Sequence, residues 1–128
     1  MKYLQDYMED ETTRLLKKTG AFFAFSKKQF EEEEVEGVKY ISMGAGLICP
    51  SDNVEEIING LDSNYKNGID QDLFDNGKNS IIKRELENHE AYYTYDIEQT
   101  VCALVDYGIT EKDILRVFNS EKKNHYDD

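Results

Sequence analysis

The chain has 128 residues, with 27 acidic against 15 basic side chains and a formal charge of −12. That length suits one domain with its own core, and 39% hydrophobic and 12% aromatic content argues against disorder despite a mean hydropathy of −0.71. The charge opposes sequence-independent binding to nucleic acid or to an anionic membrane, since both need surplus Lys and Arg.

The first residues meet acid at Asp6, so a secretory signal is not expected, and no apolar run approaches the length of a membrane span. Cys49 and Cys102 sit in apolar stretches, LICP and TVCALV. Two buried thiols in a reducing cytoplasm are expected rather than a disulfide.

In chain order, residues 3–18 predict an amphipathic helix, with Leu4, Met8, Leu15 and Leu16 on one face and Gly20 just past its end. The aromatic run 21–25 predicts a strand. Ser26 and Gln29 have capping-box spacing for a short helical turn carrying Phe30. Glu31, Glu32, Glu33 and Glu34 then form an acidic connector ending at Gly37.

Residues 38–49 predict either one bent strand or a hairpin, because Gly44 and Gly46 interrupt the pattern. A long helix follows from Asp52, with Val54, Ile57, Ile58, Leu61 and Tyr65 on one face, Gly60 and Gly68 as weak points, and Gly77 as its stop. Helices are also expected over 79–92, from Asp96 to Tyr107, and from Thr110.

The expected fold is therefore α+β. It has an N-terminal helix, a small antiparallel sheet of two or three strands within about 21–49, and a C-terminal half of about four helices packed on the sheet. Residues 1–118 are taken as a single domain, and 119–128 as a polar tail that frays.

The acid is unevenly spread. Residues 52–77 hold seven acids and one base, which is −6 of the −12. Such a run usually serves as a solvated face that maintains solubility. Its clustering also suits a basic protein surface, because fields from neighbouring like charges sum and steer an opposite partner.

Reactive motifs fail on spacing. Gly44-Ala45-Gly46 lacks the third glycine of a phosphate loop, and the residues before Gly77-Lys78 lack P-loop spacing. From Asp70 or Asp72, an EF-hand register places Phe74 where an oxygen ligand is required. Two His and two Cys without a CxxC pair do not make a zinc site.

Arg84, Glu85, Glu87 and His89 form the densest polar cluster, and His89 could serve as an acid or base. A Cys49–His89 nucleophile–base pair is conceivable, but a partly buried His89 bonded to a carboxylate is the simpler expectation. Residues 100–118 resemble a helix-turn-helix in outline but lack the basic and amide side chains of a DNA-reading helix. Of Tyr92, Tyr93 and Tyr95, at least one must face outward, where tyrosine is a favoured interface anchor.

Gly20-Ala21-Phe22-Phe23-Ala24-Phe25-Ser26, Ser42-Met43-Gly44-Ala45-Gly46 with Cys49-Pro50, Arg84-Glu85-Leu86 with Asn88-His89-Glu90, and Tyr107-Gly108-Ile109-Thr110 together resemble a family of small proteins of unknown function. That family is associated with phages and other mobile elements of gut and related bacteria. The resemblance spans about residues 20–118. It implies a bacterial or phage cytoplasmic setting and carries no catalytic assignment.

The expected function is that of a non-enzymatic, phage-encoded binding protein that docks carboxylates on a basic host or phage protein, as an inhibitor of a nucleic-acid-guided defence system would. The expected contact residues are Glu31, Glu32, Glu33, Glu34, Asp52, Glu55, Glu56, Asp62, Asp70, Asp72, Tyr92 and Tyr93. No catalytic residue, metal or cofactor is expected, and no direct contact with nucleic acid or membrane. The alternatives are a homo-oligomeric scaffold and a small hydrolase centred on His89.

Overall fold

The computed structural model of the chain describes residues 1–126, with side chains to Lys123. It divides into two compact units, Met1–Gly68 and the residues from Ile69 onward. The boundary falls inside a long helix.

The first unit opens with α1, Leu4–Thr19. The backbone N–H of Tyr3 donates to Asp6 Oδ2 at 2.9 Å, and Gly20 takes the left-handed conformation that ends the helix. Strand β1 is Phe22–Phe23. Helix α2, Lys27–Glu33, starts at Ser26, whose Oγ accepts from the Gln29 N–H at 3.2 Å. The Gln29 side chain accepts from the Phe25 N–H at 2.7 Å. These two bonds carry α2 past the single turn expected, so Glu31, Glu32 and Glu33 belong to a helix and not to a connector.

Strands β2, Tyr40–Ser42, and β3, Leu47–Pro50, pair antiparallel, and β1 pairs with the other edge of β3 to give the order β1-β3-β2. Residues 38–49 are thus a hairpin, turned by Gly44, Ala45 and Gly46 at positive φ.

The pairing register separates the two faces of the sheet. Phe23 lies opposite Leu47 and Ile41 opposite Cys49, which puts these four on one face. There Ala21, Cys49 and Ile57 form a buried cluster joined by Leu16, Met43, Leu47, Val54 and Leu61. On the opposite face, Phe22, Phe30 and Tyr40 pack with ring centroids 5.4–6.0 Å apart, and the Val35 N–H donates to the Tyr40 hydroxyl at 2.9 Å. This aromatic trio holds α2 to the sheet.

A 3-10 turn, Ser51–Asn53, leads into α3, Val54–Asn76. The Asn53 amide donates to the Thr19 carbonyl at 2.8 Å, tying the start of α3 to the end of α1. The glycines that weaken the helical pattern have a packing reason. A Cβ at Gly60 would stand 2.6 Å from Leu15 Cδ2, and one at Gly68 would stand 2.9 Å from Met8 Cγ. Their absence lets α1 lie close on α3.

The second unit is helical: the last turns of α3, then α4, Lys78–Asn88, α5, Ala91–Thr94, α6, Glu98–Leu104, a 3-10 turn Val105–Tyr107, and α7, Glu111–Tyr126. The helix expected over 79–92 is broken, because Glu90 and Tyr95 bracket α5 at φ +56° and +61°. A single side-chain bond precedes α6, and a capping box starts α7. Asp96 Oδ1 accepts from the Glu98 N–H at 2.9 Å, and Thr110 and Asp113 exchange bonds at 3.2 and 3.3 Å. Ile81, Ile82, Leu86, Leu104 and Ile114 are fully buried, each contributing about 1.5–3 kcal/mol over exposure. Helix α7 continues through Tyr126, past the point from which a fraying tail is expected, and residues 127–128 lie outside the described residues.

Candidate functional site

The acids expected to meet a partner take two different positions. Glu31, Glu32, Glu33 and Glu34 on and just after α2, and Asp52, Glu55, Glu56 and Asp62 at and after the start of α3, are all exposed. Three of them have lysine partners: Lys27 with Glu31 at 3.9 Å, Lys18 with Glu56 at 3.1 Å and Lys66 with Asp62 at 2.9 Å. Such exposed pairs hold each side chain by only about 0.2–1 kcal/mol. Among the described residues, Glu32, Glu33, Glu34, Asp52 and Glu55 form no salt bridge. Asp70 is exposed in the second unit.

Asp72 is not part of any surface. It is fully buried. Two residues along a helix turn the side chain by about 200°, so an outward Asp70 sends Asp72 inward. Its carboxylate accepts from both terminal nitrogens of Arg84 at 2.9 Å each, from the Asn76 amide at 2.7 Å and from the Tyr107 hydroxyl at 2.5 Å. Burial alone would raise the Asp72 pKa. The bonds from Arg84, Tyr107 and Asn76 outweigh it and hold the carboxyl below the usual carboxylate range. Burial works to lower the Arg84 pKa, and the bond and charge of Asp72 reverse this and raise it. The Tyr107 hydroxyl is pushed up by burial and then by Asp72. All three groups are fixed in one protonation state at neutral pH, which suits a structural anchor rather than a proton-transfer site.

The polar cluster of α4 divides along the same lines. Arg84 and Glu85 are buried, Glu87 is exposed, and His89 is 24% exposed. Glu85 accepts from Arg84 at 3.3 Å and from the Asn88 amide at 3.5 Å. His89 Nε2 lies 3.8 Å from Glu85 Oε2, too far for the hydrogen bond expected there. A shallow surface depression brings His89 together with Asp96, Glu98, Gln99, Cys102 and Ala103.

The two cysteines part company. Both are free thiols, Cys49 buried and Cys102 exposed. The expectation that both are buried fails for Cys102, because α6 turns Thr100 and Leu104 inward and leaves the residue midway between them outside. Cys49 lies beneath the sheet of the first unit, and burial pushes its thiol pKa up. A thiol held neutral is a weaker nucleophile than a thiolate.

The tyrosines also divide. Tyr92 is buried and stacks on Phe118 at 5.3 Å, so it is not available as a contact residue. Burial, with Glu121 and Glu87, pushes its hydroxyl up to about 12. Tyr93 is 87% exposed. Asn76 and Tyr107 are the partners that sequence patterns miss; the only hint is Asp72 itself, two residues from an outward Asp70. Among the described residues, no group of three or more His, Cys, Asp or Glu side chains could hold a metal ion, and no helix is long and apolar enough to cross a membrane.

A family model described as a family of unknown function (DUF7659) matches residues 4–124. The chain belongs to that family. The match takes in α1 and nearly all of α7 as well as the stretch that carried the sequence resemblance. No curated protein matches the chain, and neither does any solved structure.

Proposed function

We propose that this chain is a small, non-enzymatic binding protein that docks exposed carboxylates on a basic surface of another protein. The observation that supports this reading best is the exposure of eight acids in the first unit, Glu31 to Glu34 on and just after α2 and Asp52, Glu55, Glu56 and Asp62 at and after the start of α3, with Glu33 and Asp52 lining one depression. Side chains of one sign that follow closely along a chain raise the local potential and speed encounter with an opposite partner.

The proposed setting is the cytoplasm of a bacterial host, with the gene carried by a phage. A protein that offers carboxylates where a nucleic-acid-binding protein expects phosphates would act as an inhibitor of a nucleic-acid-guided defence system. Asp70 and Tyr93 are further contact residues in the second unit, whereas Asp72 and Tyr92 are not contacts.

The second reading is a homo-oligomeric scaffold, favoured by Tyr93 at 87% exposure. Sedimentation of a monomer at high concentration removes it. The primary reading is tested by affinity capture from bacterial lysate with mass spectrometry, using the native chain and a Glu55→Lys, Glu56→Lys, Asp62→Lys variant. A protein with a basic surface, captured by the native chain and lost with the variant, supports it. Identical captures overturn it.

A further inference from the structure

The acidic residues account for charge but leave an apolar feature of the first unit unused. Leu4, Met8, Thr12 and Leu16 recur every fourth residue along α1 and line one wall of a groove of about 510 Å³, and Phe23 and Tyr65 line the other. Gly60 and Gly68 let α1 lie close on α3, whose Tyr65 lines the groove between them. Phe23 is 51% exposed and stacks parallel to Phe25 at 6.3 Å. From Leu4 to Leu16 the groove follows α1 for about 18 Å, a little over three helical turns. That length and apolar lining match the way an amphipathic helix is held by its i, i+4 side chains.

Charge decides the occupant. Glu9 is the only charged residue lining the groove. Asp6, Glu9 and Asp10 are exposed along α1 and form no salt bridge among the described residues, whereas Glu11 is already paired with Arg14. A second copy would bring these acids and its own −12 charge against them. The residues that α1 presents outward over the groove, Gln5, Glu9 and Thr13, also offer no apolar ridge to fill a partner copy.

The geometry points to a partner helix with an apolar stripe flanked by Lys and Arg, seated between α1 and Phe23. This rests on the reading of the chain as a binder of basic proteins and adds where the apolar part of such a partner sits.

The probe is a fluorescent helical peptide of leucine and lysine, about 18 residues long, so that its helix of about 27 Å spans the groove with about one turn to spare at each end, with leucines at helical spacing. It is compared with an isomer of the same composition that has no apolar stripe. The proposal predicts one-to-one binding, with the amphipathic peptide about tenfold tighter than its isomer. Phe23→Ser and, separately, Thr12→Trp, which plugs the groove from a half-buried position, each remove that preference while circular dichroism stays native. Glu9→Gln weakens binding and flattens its salt dependence. The Glu55→Lys, Glu56→Lys, Asp62→Lys variant retains the preference.

Equal binding of the two peptides overturns the proposal, as does a preference that survives both groove variants. Loss of all binding in the charge-reversed variant alone, with the groove variants unaffected, leaves the acidic-surface reading standing and removes the groove. A native dimer that Thr12→Trp dissolves assigns the groove to a second copy and also overturns the proposal.

Discussion

The Tyr107 hydroxyl donates to Asp72 Oδ2 at 2.5 Å across 35 residues of sequence, and Arg84 grips the same carboxylate from α4 with two bonds. One buried anion thus joins the end of α3, α4 and the 3-10 turn before Gly108. Removing its cation leaves an uncompensated charge in the core. Arg84→Ala is expected to lower stability by about 3–5 kcal/mol. Tyr107→Phe removes one bond to a charged group and is expected to lower it by about 1.5–3 kcal/mol. Urea denaturation of both variants checks the ranking, and equal small losses would contradict it.

The same network sets a pH dependence. The Asp72 pKa is lower in the folded chain than in the unfolded one. Its contribution is therefore complete above about pH 4, where an unfolded aspartate is ionised, and is lost as pH falls through the folded value. Asp113, bonded first by Lys78 and then by Thr110, is held down at about 2, so its contribution fades between about pH 4 and that value. Tyr92 works in the opposite direction. With its pKa pushed up to about 12 by burial, its contribution is complete below about pH 10 and lost as pH rises through the folded value. Stability measured against pH should lose part of its acid slope in Asp72→Asn and part of its alkaline slope in Tyr92→Phe.

The thiols give a direct check on packing. Cys102 is exposed and Cys49 is fully buried with a raised pKa. In the native chain an alkylating reagent should modify Cys102 promptly, and Cys49 only at the rate of unfolding. Mass spectrometry of time-quenched samples reads this. Equal rates would contradict the placement of Cys49 under the sheet.

Signals within one turn of helix made much of the fold legible. Gly20, Ser26 with Gln29, Gly77 and Thr110 each mark a boundary through bonds to residues three or four away, and such spacing is visible in a sequence. The break at Glu90 was not legible, because glutamate carries no turn signature and takes φ +56° only under tertiary constraint. The candidate surface divides in the same way. Glu55 and Asp62 lie outward as their helical positions suggest, but Asp72 looked like one more member of an acidic run. Its partners Arg84 and Tyr107 stand 12 and 35 residues away, and no local pattern connects them. Tyr92 and Tyr93 posed a choice that only Phe118, stacked on Tyr92, resolves.

Gly68 tests the close approach of α1 to α3. In an isolated helix, replacing glycine by a residue with a side chain raises stability by up to about 1 kcal/mol. Here a Cβ would meet Met8 Cγ at 2.9 Å and Leu4 Cδ1 at 3.1 Å. Gly68→Val is therefore expected to destabilise by about 1–3 kcal/mol through overpacking, measured as a fall in Tm. A rise in Tm would show that α1 does not depend on the missing side chain.

The most direct test of the acidic-surface account is the affinity for a captured partner measured against salt, for the native chain and for the Glu55→Lys, Glu56→Lys, Asp62→Lys variant. The account predicts native affinity that falls steadily as added salt shortens the range of the carboxylate field, and a variant with little affinity at any salt. Affinity that is the same in low and high salt, and equal in the two proteins, would contradict it.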